Sequence, residues 1–319
     1  MSSTPALDVP SSTLDRIRDR WTWTAVVANL VGQIAIIVTG GAVRLTGSGL
    51  GCSTWPQCEP GQFTPQLHEA TSLHPFIEFG NRTVSGVLVV IALVVALLVT
   101  FDRRRPWSYR RLGVVPVVGV LIQAVIGGIT VLVDLHPAIV GSHLLISMAL
   151  VAFSTWLVVR TREGDGPAVP LVDRTTRSLV RVLVALTAVV LALGVVVTGA
   201  GPHSGDDEVG YRFGVDPWLM AKLHAASVWA FVAVLVAVLV LLRRRGVTGR
   251  PWTTALVLLG VTLGQGLVGY VQLFTGLPIG LVNLHMLGAA LLASTVTFFV
   301  GSLRTRGAVP AGDPVPTVA

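Results

Sequence analysis

Charge is scarce in this chain of 319 residues. Only 12% of its residues are Asp, Glu, Lys or Arg, where soluble domains carry about 25%. Together with 52% hydrophobic residues and a mean hydropathy of +0.75, this excludes a soluble globular protein. Cysteine is scarcer still, at two residues. Two thiols with no histidine at zinc-type spacing exclude a zinc-ribbon type of site. The first 20 residues are polar and lack the apolar core of a signal peptide, so the first span is expected to insert by itself. The spans also hold few charges and no pair of broken helices, which argues against a transporter.

Long apolar runs are what the chain has instead. Eight are long enough to cross a bilayer, which takes about 20 residues: roughly 23–43, 76–101, 112–133, 138–159, 178–199, 218–242, 252–274 and 281–303. Backbone groups in lipid must be satisfied within the segment, so each run is expected to be a helix. The net charge of +7 and pI near 10.6 would suit nucleic acid, but the distribution excludes that reading. Nineteen of the 23 basic residues fall in alternate loops or at the ends, such as Arg103 to Arg105 and Arg243 to Arg245. Only Arg44, Arg82, Arg212 and Lys222 fall on the other side. The bias sets topology, with both termini cytoplasmic.

The second half of the chain repeats the first. Gln123, Gly127 and His143 recur as Gln265, Gly269 and His285 with the same spacing. Val38-Thr39-Gly40 is echoed by Val197-Thr198-Gly199. The repeat places one histidine in each of spans four, six and eight (His143, His224 and His285) and Asn81 at the matching place in span two. All four are expected about five to seven residues inside the outer helix ends, roughly 10 Å deep. The fold class is therefore all-α integral membrane, with eight transmembrane helices as two pseudo-symmetric four-helix bundles. The expected boundaries are a disordered tail at 1–20, an N-terminal half at 21–160, a cytoplasmic linker at 161–177, a C-terminal half at 178–303 and a disordered tail at 304–319.

Neutral imidazole is a good iron ligand, and haem is commonly held by histidine. A lone histidine in an apolar helix is more often a structural group, but three at one depth point to a cofactor. His224 and His285 are expected to clamp a haem iron from both faces. His143 faces Asn81, a poor iron ligand, so the first-half site is expected to hold a porphyrin by one strong bond, or with His74 or Glu78 in place of the second. Glu78 and Arg82 are four apart on one helix face and able to pair. Ionisable groups at a span entrance are functional candidates. Cys52 and Cys58 lie in the first outer loop, on the oxidising face, where a disulfide is expected. It is either a static staple or a redox-active pair.

The chain resembles the haem A synthase family over about residues 20–303. The resemblance rests on Gly40-Gly41-Ala42-Val43-Arg44-Leu45-Thr46-Gly47-Ser48-Gly49-Leu50-Gly51-Cys52, on Trp55-Pro56 with Cys58, on Glu78 and Arg82, and on the three span histidines. It implies an oxidoreductase that converts the C8 methyl of haem O to the formyl group of haem A by successive hydroxylations. It implies haem b as redox cofactor, on His224 and His285, and haem O as substrate in the N-terminal half, with His143 at a ligand position. It implies a part for Glu78 in the reaction and a match of Cys52 and Cys58 to a loop cysteine pair. Haem O synthase and the cytochrome oxidase assembly machinery are the implied partners in the cell membrane, with a homo-oligomer compatible and nucleic acid excluded. The chain departs from the family in two ways: many members have histidine in place of Asn81, and many have a second outer-loop cysteine pair that is absent here.

Chemistry fits this expectation. Removing electrons from a methyl on the porphyrin edge leaves a cationic carbon that water traps, and a carboxylate such as Glu78 can stabilise that charge or take the proton. Arg82 can keep Glu78 ionised or bind a propionate, and Arg44 is the other outer-side arginine for a propionate. The rival reading is a non-catalytic b-type membrane cytochrome that relays electrons.

Overall fold

The computed structural model describes residues 13–66, 73–206, 208–209 and 211–307. Eight helices in them are long and apolar enough to cross a membrane. In chain order the helices are α1 (Thr13–Leu45), α2 (His74–Thr100), the short α3 (Trp107–Arg110), α4 (Val114–Leu132), α5 (Pro137–Arg162), α6 (Arg174–Ala200), α7 (Pro217–Arg244), α8 (Arg250–Phe274) and α9 (Ile279–Ser302). The chain is an all-α multi-pass membrane protein.

Local chemistry sets the helix starts. Proline stands in the first turn of α2, α5, α7 and α8, where its missing N–H costs nothing. Asp173 and Asp216 cap α6 and α7 by accepting from the amides of Thr175 and Trp218, each at 2.9 Å. The repeat extends to the turns. Leu135 after α4 and Leu277 after α8 both take a positive φ, 57° and 59°. Each donates its amide across the turn at 2.8 Å, to Thr130 and Gln272 respectively.

The helices pack as two rings of four. In one, α1, α2, α4 and α5 are neighbours in turn, and in the other α6, α7, α8 and α9. The rings meet where α9 packs on α1 and α5, and α5 on α6. Ala290 and Ala293 of α9 complete the buried cluster built on Val26, Leu30, Val151 and Leu157. Small residues let helices approach closely in lipid. A buried hydrogen bond from Thr155 to Ser294 crosses this seam, and one from Asn29 to Ser154 joins α1 to α5 within the first ring, both at 2.9 Å. The other helix faces expose apolar side chains such as Val90, Leu97, Ile122 and Leu267, as lipid requires.

Three boundaries differ from expectation. The expected disordered tails fall partly on 1–12 and 308–319, outside the described residues. Residues 13–20, however, belong to α1. Their charge looks like that of a tail, but Asp15 and Asp19 pair with Arg104 at 2.8 and 2.6 Å. At the other end Arg304–Arg306 forms β2, antiparallel to β1 (Ala168–Pro170), so the expected linker at 161–177 carries a strand. Glu163 holds this clasp, reaching Arg160 at 2.8 Å and Arg304 at 3.0 Å. Its carboxyl lies below the usual range: burial pushes it up, but the two guanidiniums outweigh that.

Candidate functional site

The repeated glutamine–histidine spacing has a structural cause. Gln123 donates its side-chain amide to the backbone carbonyl of His143 at 2.8 Å, and Gln265 donates to that of His285 at 2.9 Å. The glycine four residues after each glutamine clears room for the ring. A Cβ on Gly127 would lie 3.5 Å from Cε1 of His143, and one on Gly269 would lie 3.3 Å from Cε1 of His285. Gly194 of α6 does the same for His224, at 3.3 Å. Asn81, His143, His224 and His285 stand six or seven residues from the starts of α2, α5, α7 and α9.

In the second ring His224 and His285 face each other, with ring centroids 6.4 Å apart and planes at 75°. Such a gap suits two imidazoles that each bind one metal ion through a nitrogen at about 2.0–2.1 Å. Nδ1 of His224 lies 3.1 Å from the Val190 carbonyl. A carbonyl only accepts, so Nδ1 carries the proton and Nε2 keeps its lone pair for a ligand bond. Nδ1 of His285 is buried without a partner among the described residues. These residues fit an axial histidine pair.

The first ring encloses a cavity of about 420 Å³. Asn81, His143, Arg44, Glu78 and Arg82 all line it, so the structure brings together the first-half residues expected at the site, His74 excepted. Asn81 accepts from the Thr39 hydroxyl at 2.7 Å, which fixes its amide. Arg44 donates to the carbonyls of Thr198 and His203, each at 3.0 Å. Its charge thus sits at the C-terminal end of α6, where the helix dipole favours a cation.

Glu78 is buried at 4% exposure. It accepts from the Cys52 amide at 2.7 Å and from two nitrogens of Arg82 at 2.6 and 3.1 Å. Arg82 spends its other donors on the carbonyls of Thr54, Gln57 and Pro56, at 3.0, 3.1 and 3.5 Å. Its guanidinium is thereby committed to Glu78 and the cysteine loop rather than to a propionate. Cys52 and Cys58 are joined in a disulfide. The loop they close sets Trp55 against Gly128, where a Cβ would lie 2.5 Å from the ring. Trp55 and Pro56 thus form part of the cavity wall.

His74 does not reach the cavity. Its Nδ1 lies 2.8 Å from the Ser48 hydroxyl, a structural contact at the head of α2, so it is not placed to serve as second ligand to a porphyrin on His143. Sequence reasoning missed Gln33, Trp55, Thr198 and Met286 as cavity residues. A glutamine inside an apolar run was a signal for Gln33. Nothing local flagged Thr198 and Met286, which come from the other ring.

Residues 20–203, more than half the chain, match the sequence model of a family described as cytochrome oxidase assembly protein. The chain belongs to the haem A synthase family. Haem A synthase of Bacillus cereus is 26% identical over 310 residues, covering 92% of this chain and 96% of that protein. The haem A synthase of Bacillus mycoides is 25% identical over 306 residues, covering 91% and 95%. Family membership makes the chain an enzyme, an oxidoreductase, and places its function in haem A biosynthesis.

Proposed function

We propose that the chain oxidises the C8 methyl of haem O to a formyl group by successive hydroxylations. The observation that carries this reading is the one cavity lined by His143, Asn81, Glu78 and Arg44, next to a ring in which His224 and His285 face each other at 6.4 Å. The N-terminal half, 21–160, is the substrate half, and the C-terminal half, 178–303, is the redox half. His224 and His285 hold haem b, which supplies one-electron redox chemistry when bound.

The conversion of methyl to formyl takes one oxygen from water and releases four protons and four electrons, the electrons to an acceptor outside the chain. His143 anchors the substrate, and Asn81 opposite leaves the other face without a second strong ligand. Glu78 is the carboxylate that stabilises positive charge at the reacting carbon or accepts a proton from the attacking water. Arg82 aims it, with the cysteine loop as scaffold. Arg44 faces the cavity as the counter-charge for a propionate. The alternation of basic loops supports cytoplasmic termini and a site near the outer face of the cell membrane.

The deciding experiment is haem analysis after expression in a host that makes haem O but no haem A. Haem A or its hydroxymethyl precursor is expected. A folded, haem-loaded protein with only haem b and unchanged haem O would overturn this reading in favour of an electron-relay cytochrome.

A further inference from the structure

The inner end of the first-half cavity is polar where lipid depth favours apolar residues. Gln33 of α1 and Gln123 of α4 both line it. Gln33 is 2% exposed, and its Nε2 has no hydrogen-bond partner among the described residues. Gln123 is 8% exposed, and its Nε2 is spent on the His143 carbonyl and the Ser147 hydroxyl, which leaves Oε1 without a partner among the described residues. The wall therefore holds one unused donor and one unused acceptor, both buried. A single hydroxyl satisfies such a pair, because it donates and accepts through one oxygen.

Two further observations narrow the ligand. Gln33 lies eleven residues before Arg44 on α1, three turns along one face, which is about 16 Å. A porphyrin with its carboxylates at Arg44 would thus present its far edge to Gln33. The second ring keeps the counterpart of Gln123, Gln265, but lacks the other polar groups of this floor. The spacing that carries Thr39 onto Thr198 carries Gln33 onto Ala192, and that from His143 to His285 carries Ser147 onto Ala289. The polar floor is therefore not something a histidine-held macrocycle requires in general.

We propose that Gln33 and Gln123 recognise the hydroxyl of the hydroxyethylfarnesyl side chain of haem O. Gln33 donates to the hydroxyl oxygen, and the hydroxyl donates to Oε1 of Gln123. Haem b has a vinyl group in that place and leaves both amides unpaired, so the contact selects the substrate over the commoner haem. A site built to bond a hydroxyl discriminates more sharply than an apolar pocket does. This assignment rests on the reading of the first-half cavity as the haem O site.

The test pairs a change in the protein with a change in the ligand. Full-length protein in detergent, with its second-half haem in place, is titrated with haem O and with haem O dehydrated to remove the hydroxyl. Dissociation constants are read from the Soret band. The wild type is expected to bind haem O about tenfold more tightly than the dehydrated form, the scale of a neutral hydrogen bond. In Gln33→Met that ratio is expected to fall severalfold, through weaker binding of haem O alone, with only the contact to Gln123 remaining. An unchanged ratio in Gln33→Met, or a wild type that does not distinguish the two ligands, overturns the assignment. The wild-type comparison stands even if the variant fails to fold. His143→Ala separates the two readings: titration signals that survive it place the bound haem elsewhere and overturn the substrate site together with the hydroxyl contact.

Discussion

Gln123 and His143 are joined by a hydrogen bond of 2.8 Å from side-chain amide to backbone carbonyl, and Gln265 and His285 repeat it at 2.9 Å. One device thus fixes an α4–α5 pair and an α8–α9 pair, each bringing a glycine against the histidine ring.

The glycine half of that device is the more sensitive. Gly269→Val would push its side chain onto Cε1 of His285, already 3.3 Å from a single added Cβ. Overpacking of this kind costs about 1–3 kcal/mol. The expected result is loss of haem b with His143 undisturbed, read as a fall in pyridine haemochrome yield and in Soret absorbance.

Glu78 and Arg82 should separate chemistry from scaffold. Arg82→Leu strands the buried Glu78 carboxylate and frees the carbonyls of Thr54, Pro56 and Gln57. Breaking a buried pair this way costs about 3–5 kcal/mol, so a large drop in melting temperature is expected. Glu78→Gln keeps a side chain of the same size and should leave the fold closer to wild type while abolishing haem A output. Normal haem A from Glu78→Gln would remove that carboxylate from the mechanism.

Asn81→His should give the first ring what the second already has. With histidines on α2 and α5 facing one cavity, the first-half haem is expected to become low-spin and six-coordinate. Electron paramagnetic resonance would show a second bis-histidine signal beside that of His224 and His285. The Thr39 contact to Asn81 would be lost at a cost of about 1 kcal/mol.

Stability should fall in acid through the clasp at the opposite end. Arg304 and Arg160 hold Glu163 below its ordinary 4.5 although burial opposes them. A depressed carboxylate contributes stability that is fully present above its unfolded value and is lost as pH falls through the folded one. Melting temperature in detergent is therefore expected to be level above about pH 5 and to drop below about pH 4.5. Glu163→Gln should melt lower at neutral pH and show a shallower acid drop. An identical acid profile in that variant would place the effect on other carboxylates, such as Asp102.

Closing a loop as short as that between Cys52 and Cys58 contributes about 2 kcal/mol. Cys52→Ser with Cys58→Ser should lower the melting temperature and loosen Trp55 from Gly128, seen as a change in tryptophan fluorescence.

The sequence by itself determined the eight spans, because lipid leaves a long apolar run one way to satisfy its backbone. It also determined the repeat and the level of the histidines, since spacing along a helix is depth. Asn81, His143, Glu78, Arg82 and Arg44 were legible as polar residues where apolar ones belong. Tertiary structure alone decided what those groups touch. It turned Arg82 toward the cysteine loop, tied His74 to Ser48, and drew Thr198 and Met286 from the second ring into the first ring's cavity. It also made a strand and a helix start of charged stretches that read as linker and tail. Hydrophobic runs and residue periods are local and survive in a linear reading. The partner of a buried polar atom lies tens or hundreds of residues away, and only the packed helices bring it within hydrogen-bond range.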